Sequence, residues 1–115
     1  MQVFSHHAVG ICSSSQLMFS AFEDDAPMWS GNGPRHIRKQ IIFDKPFFTA
    51  PVVQVSISMW DIDGGSNQRA DLQAENVTAS GFTLVFRTWG DTRVARIRAD
   101  WLAIGPVPHA DDFTL

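Results

Sequence analysis

This 115-residue chain contains no tyrosine and a single cysteine, Cys12. One thiol excludes an internal disulfide. Cys12 is therefore either a buried thiol or a bridge between two chains. It also removes the zinc sites built on paired thiolates, and His6, His7, His36 and His109 show no metal-ligand spacing. His6 and His7 point to opposite sides of an extended chain and cannot easily share an ion. No stretch of about 18 apolar residues occurs, so no membrane-crossing helix is expected. Residues 1–20 lack the basic start and apolar core of a signal peptide. Basic residues are also scarce. Nine Lys and Arg stand against twelve Asp and Glu, a net charge of −3, which does not make a nucleic-acid footprint.

Catalytic groupings are missing too. The acids pair up as Asp24–Asp25, Asp61/Asp63 and Asp111–Asp112 in polar loops, where such residues serve as solvated turns. Ser13, Ser14 and Ser15 lack the strained turn of an activated nucleophile. "DIDGGSN", 61–67, lacks the Asp-x-Asp-x-Asp-Gly run and terminal Glu of a calcium loop. Calcium is thus a weak candidate, and no other cofactor and no metal site is expected.

What the chain does have is a period of two. "VVQVSISMW", 52–60, puts Val53, Val55, Ile57 and Met59 on one face and Gln54, Ser56, Ser58 and Trp60 on the other. Similar alternation marks 15–22, 35–43, 69–77, 82–89 and 93–105. Gly90–Asp91 reads as a tight hairpin turn between the last two. Turn-rich segments separate the rest. About six strands without a convincing helix argue for an antiparallel sandwich or barrel. The length suits one domain spanning 1–115. Residues 23–34, "EDDAPMWSGNGP", form a long loop of the kind that carries function, and 106–115 read as a loosely ordered end.

"TWGDTRVARIRADW", 88–101, is the odd stretch. Its strand sends Ala95, Ile97, Ala99 and Trp101 to one face and Val94, Arg96, Arg98 and Asp100 to the other. A solvated strand needs neither the arginines nor Trp89 at the turn. A contact between subunits would use both, since Arg and Trp are favoured there. A sugar would also use such groups. Its C–H face packs on an aromatic ring, and its hydroxyls want guanidinium, carboxylate and amide partners. Arg69, Trp89 and the 23–34 loop can supply that set. Each has a plainer role as well: Trp89 as a cross-strand packing aromatic, Arg69 as an ion pair with Asp71 or Asp91.

The order of landmarks over 43–105 resembles the H-type lectin domain, the family of the snail agglutinin and the discoidin C-terminal domain. The shared features are the aromatic-Pro lead into "PVVQVSI", the "WDID" corner, "NQR", the "SGF" turn, "TWGDTRV" and a "W-L-A-I" finish. "RHIRKQIIF" extends the match back to 35. The resemblance implies a six-stranded antiparallel β-sandwich that forms trimers, in some members paired into hexamers. It implies binding of galactose or N-acetylgalactosamine at subunit boundaries, no catalysis, and an extracellular or cell-surface setting. Residue by residue, the family's hydroxyl-binding Arg matches Arg69 and its late-turn aromatic matches Trp89. Its N-terminal-loop acid falls near Asn32, with Asp24 or Asp25 as alternatives, and its small backbone contact falls near Ser30. The His that follows the aromatic is Gly90 here, and a later Tyr is Ala95. With no imidazole at Gly90, a roomier pocket is expected. The competing expectation is a structural oligomerisation domain of a surface appendage or phage-tail-like assembly, with a vestigial sugar site.

Overall fold

The computed structural model describes residues 1–5, 8–21 and 27–108. Among these residues six strands form two antiparallel sheets of three. One sheet has the order β1 (Val9–Ser20), β6 (Val94–Pro106), β3 (Val52–Ile62). The other has the order β2 (Arg35–Ile42), β5 (Gly81–Thr88), β4 (Asp71–Glu75). A single helical turn, α1 (Pro27–Ser30), precedes β2. This is the expected all-β sandwich.

The core lies between the two central strands, as alternation dictates. β5 sends in Phe82, Leu84 and Phe86; β6 sends in Ile97, Ala99, Trp101 and Ala103. Phe82 meets Trp101 edge-on with ring centres 5.4 Å apart, and Phe43 packs on the same indole at 5.8 Å. Phe19 closes the far end against Phe86 at 5.8 Å. Trp101 thus goes to the core, as its parity predicts. Arg96 and Arg98 go outward with Gln54, Ser56, Ser58 and Trp60.

Several expectations need correction. Gly90–Asp91 does not close a hairpin, because β5 and β6 belong to different sheets and the turn carries the chain across the sandwich. Local turn chemistry is the same in both cases. The difference is that β6 finds its partners in β1 and β3. β1 begins at Val9 rather than at 15, so the serine run lies within a strand. Serine is tolerated there because an edge strand leaves much of its surface in water. β4 (Asp71–Glu75) is shorter than 69–77 and is followed by Asn76, which takes a left-handed φ of 52°. Val94 turns inward, not outward. A bulge at Ala95 pairs Asp61 with Arg96 but Ile62 with Val94, so Val94 and Ala95 are both buried.

The outer face of the β1–β6–β3 sheet is mixed. One row across it is apolar: Ile11, Ile104 and Val52. The row of Ser15, Asp100 and Ser56 is polar, with the Ser15 hydroxyl donating to Asp100 at 2.5 Å. Arg96 pairs with Asp61 at 3.2 Å, and Arg98 donates to the Ser58 hydroxyl at 3.1 Å. Cys12 is half-buried in a cleft of about 340 Å³ between β1 and β2, floored by Trp101. Among the described residues no helix is long and apolar enough to cross a membrane. His6, His7, His109 and the segment 109–115 lie outside the described residues.

Candidate functional site

Three connections converge at one end of the sandwich: 27–34 before β2, 63–70 before β4, and 89–93 between β5 and β6. Threonines hold two of them together. Thr88 and Thr92 flank the turn and are almost fully buried. Their hydroxyls donate to the carbonyls of Arg69 at 2.6 Å and Asn67 at 2.5 Å. The 67–69 backbone is therefore fastened to the turn at two points.

Arg69 lies across that turn. Its Nη1 donates to Asp91 Oδ1 at 2.7 Å and to Thr92 Oγ1 at 3.1 Å. Of the two ion pairs open to it in sequence, the one with Asp91 forms; Asp71 lies against Arg87 at 3.8 Å instead. Both of these bonds use Nη1. The Nε–Nη2 edge, the one suited to bidentate contacts, is not engaged among the described residues. The Arg69 hydrogen bond holds the Asp91 carboxyl below its ordinary range, so the pair persists into mild acid.

Gly90 explains the guanidinium's position. Its φ is +68°, and a Cβ there would sit 2.8 Å from Nη1 and 3.0 Å from Cζ of Arg69. Arg69 thus lies where a side chain at this position would begin. Trp89, one residue earlier, is 46% exposed. It lies one residue past the end of β5 and has no ladder partner in β2 or β4.

The 27–34 connection is fastened by Arg35, which no motif in the sequence singles out. Arg35 occupies an inward position of β2 and is buried. Its guanidinium donates to four carbonyls: Gly33 at 3.0 Å, Pro27 at 3.4 Å, Met28 at 2.9 Å and Gly90 at 3.0 Å. The Gly33 amide also donates to the Gly90 carbonyl at 3.0 Å. One side chain therefore joins the first loop to the turn. The signal available in the sequence was an arginine on the apolar parity of a strand. Ser30 closes α1, and Asn32 is exposed between Gly31 and Gly33, on the loop that Arg35 docks beside Gly90. Asp24 and Asp25 lie outside the described residues.

The weak calcium candidate gains nothing from the fold. Asp63 accepts from the Gly65 amide at 3.1 Å, and Asp61 is paired with Arg96. Among the described residues, no group of three His, Cys, Asp or Glu is placed to hold a metal.

Residues 38–104 match the model of the H-type lectin domain. The chain belongs to the H-type lectin domain family. The H-type lectin match spans β2 to β6, including Arg69, Trp89 and Gly90. A protein of Fuscovulum blasticum called ATP synthase subunits region ORF 7 is 51% identical over 108 residues, 94% of each chain. Discoidin-2 of Dictyostelium discoideum is 32% identical over 81 residues, 70% of this chain but 32% of its own length. The structure of wild-type discoidin II from the same organism superposes with a TM-score of 0.75 at 25% identity, over 90% of this chain and 39% of that one. An H-type lectin domain is a carbohydrate-binding protein rather than an enzyme.

Proposed function

We propose that this H-type lectin binds galactose- or N-acetylgalactosamine-type glycans, and does so multivalently as a trimer or hexamer. The observation that carries the sugar reading is the Arg69 fork. Nη1 is anchored by Asp91 and Thr92, the Nε–Nη2 edge makes no hydrogen bond among the described residues, and Trp89, the chain neighbour of Gly90, is exposed. In this reading the fork donates to two adjacent ring hydroxyls, Trp89 packs on the C–H face, and Asn32 or Ser30 adds contacts from the docked loop. Asp24 or Asp25 is a further acceptor on the same connection. A single sugar in so open a site is expected to bind with a dissociation constant of about 0.1–1 mM, or about −4 to −5.5 kcal/mol. Titration calorimetry of galactose and N-acetylgalactosamine tests the assignment; no heat from either at millimolar concentration rejects it.

Multivalency rests on the outer face of the β1–β6–β3 sheet. Ile11 is 69% exposed and stands in a row with Ile104 and Val52, and Trp60 is 61% exposed further along the face. Such a surface suits another copy of the chain better than water. Several linked sites would raise apparent affinity by about 10²–10⁴. Light scattering should give a mass of three or six chains for the wild type and of one chain for Ile11→Glu. A wild-type monomer at micromolar concentration removes the multivalent part of the proposal. The same apolar row is what a purely structural oligomerisation domain would need. That second reading predicts the oligomer without any sugar heat.

A further inference from the structure

The partner of Arg69 is itself placed to meet a ligand. Thr92 is fully buried, and its hydroxyl is committed to the Asn67 carbonyl at 2.5 Å while accepting from Arg69 at 3.1 Å. Together with the glycine floor at Gly90, this fixes the plane of the guanidinium. Asp91 sits at the outer end of that arrangement with its side chain 69% exposed, and one of its oxygens lies 2.7 Å from Nη1. A carboxylate has about four acceptor positions, so its bonds to Arg69 and to its own amide leave it capacity for more.

We infer that Asp91 is the acceptor half of the sugar site and its charge filter: the site takes neutral sugars with adjacent hydroxyls and turns away sugar acids. This rests on the sugar-binding reading above and names the ligand class within it. Each sugar hydroxyl is both acceptor and donor. The Arg69 fork satisfies the oxygen, but the hydroxyl hydrogen needs an acceptor within reach. Asp91 supplies one beside the guanidinium, so donor and acceptor alternate along the site as they do along a pair of adjacent hydroxyls. The same carboxylate neutralises Arg69. A ligand carboxylate gains little attraction from a cation already paired, and it meets the like charge of Asp91; Arg93, the other cation that acts on Asp91, is exposed and screened by water. Asp91 is ionised at neutral pH as any aspartate is, and the hydrogen bond from Arg69 extends that charge to lower pH, so the filter is in force there.

The experiment compares methyl galactoside with galacturonic acid, which replaces the hydroxymethyl group by a carboxylate. Wild type, Asp91→Asn, Asp91→Ala and Arg69→Ala are titrated with both, and circular dichroism verifies each fold. Wild type should bind the galactoside and not the acid. Asp91→Asn keeps the shape and removes the charge; it should weaken galactoside binding at least tenfold and bring acid binding into range, with Asp91→Ala doing the same. Galactoside affinity within twofold of wild type in both Asp91 variants, or no gain for the acid in either, overturns the inference while leaving the sugar site standing. A wild type that binds neither ligand overturns both.

Discussion

Arg69→Ala should weaken sugar binding at least tenfold while the protein keeps its fold and assembly state. Hydrogen bonds to a charged group contribute about 1.5–3 kcal/mol. Each 1.4 kcal/mol is about tenfold, so a site of about 0.1–1 mM would weaken about 10- to 150-fold, to between about 1 and 150 mM. The fold should survive because Arg69 is a surface strut. Its Nη1 bonds reach Asp91 and Thr92, and Thr92 retains its bond to the Asn67 carbonyl. Asp91, already largely exposed, is returned to water at little cost. Calorimetry on the variant and wild type decides the matter. Equal affinities would place the site elsewhere on the molecule.

Arg35→Met should have the larger effect on stability. Methionine fills a similar volume but bonds none of the four carbonyls that the guanidinium satisfies, those of Gly33, Pro27, Met28 and Gly90. Leaving a buried acceptor unmet costs about 1–3 kcal/mol. Gly90 keeps its bond from the Gly33 amide, and water can reach part of the loop, so not all four losses count in full. A total of about 3–5 kcal/mol is expected, comparable to breaking a buried charged network. Sugar affinity should fall with it, because the 27–34 connection loses its fastening to the Gly90 turn. Denaturant melts read the first effect, and calorimetry at low temperature reads the second. Arg35→Lys should recover part of both, since an ammonium still donates to some of the carbonyls. A stability within about 0.5 kcal/mol of wild type would show that water replaces the guanidinium without loss.

Much of this was legible in the residues. The alternation of Val53, Val55 and Ile57 with Gln54, Ser56 and Ser58 defines β3 correctly, and the parity of Trp101 and Arg98 defines β6. Arg69 and Gly90 are expected site neighbours, and they touch. The rest was hidden for physical reasons. Glycine–aspartate turns look alike whether the strands beside them pair or part, and the partner that decides, β1, lies far away in sequence. Bulges shift parity by one residue and leave no local mark, which is why simple alternation sends Val94 outward. Arg35 bonds only main-chain carbonyls, and carbonyls are the same at every position in the chain. The Asp91 partnership with Arg69 was one of two open choices, because a charge in a sequence does not say which opposite charge it will meet.

The sheet order has a consequence for synthesis. The β2–β5–β4 sheet is complete once Thr88 has been made. The other sheet has as its centre β6, the last of the described strands, with Val9 paired to Pro106 and Val52 to Ile104. Until β6 emerges, β1 and β3 have nothing between them, and β1, uncharged from Val9 to Ser20, waits with apolar Ile11 and Leu17 facing outward. Pairings that close such long loops form late. On a ribosome the first sheet should therefore gain amide protection before the second, and a chain stopped before Val94 should aggregate rather than rest as half a sandwich. Pulse-labelled hydrogen exchange during refolding would sink this order if β1 amides were protected as early as those of β5. For a domain of this topology, the most hazardous moment comes just before its final strand arrives.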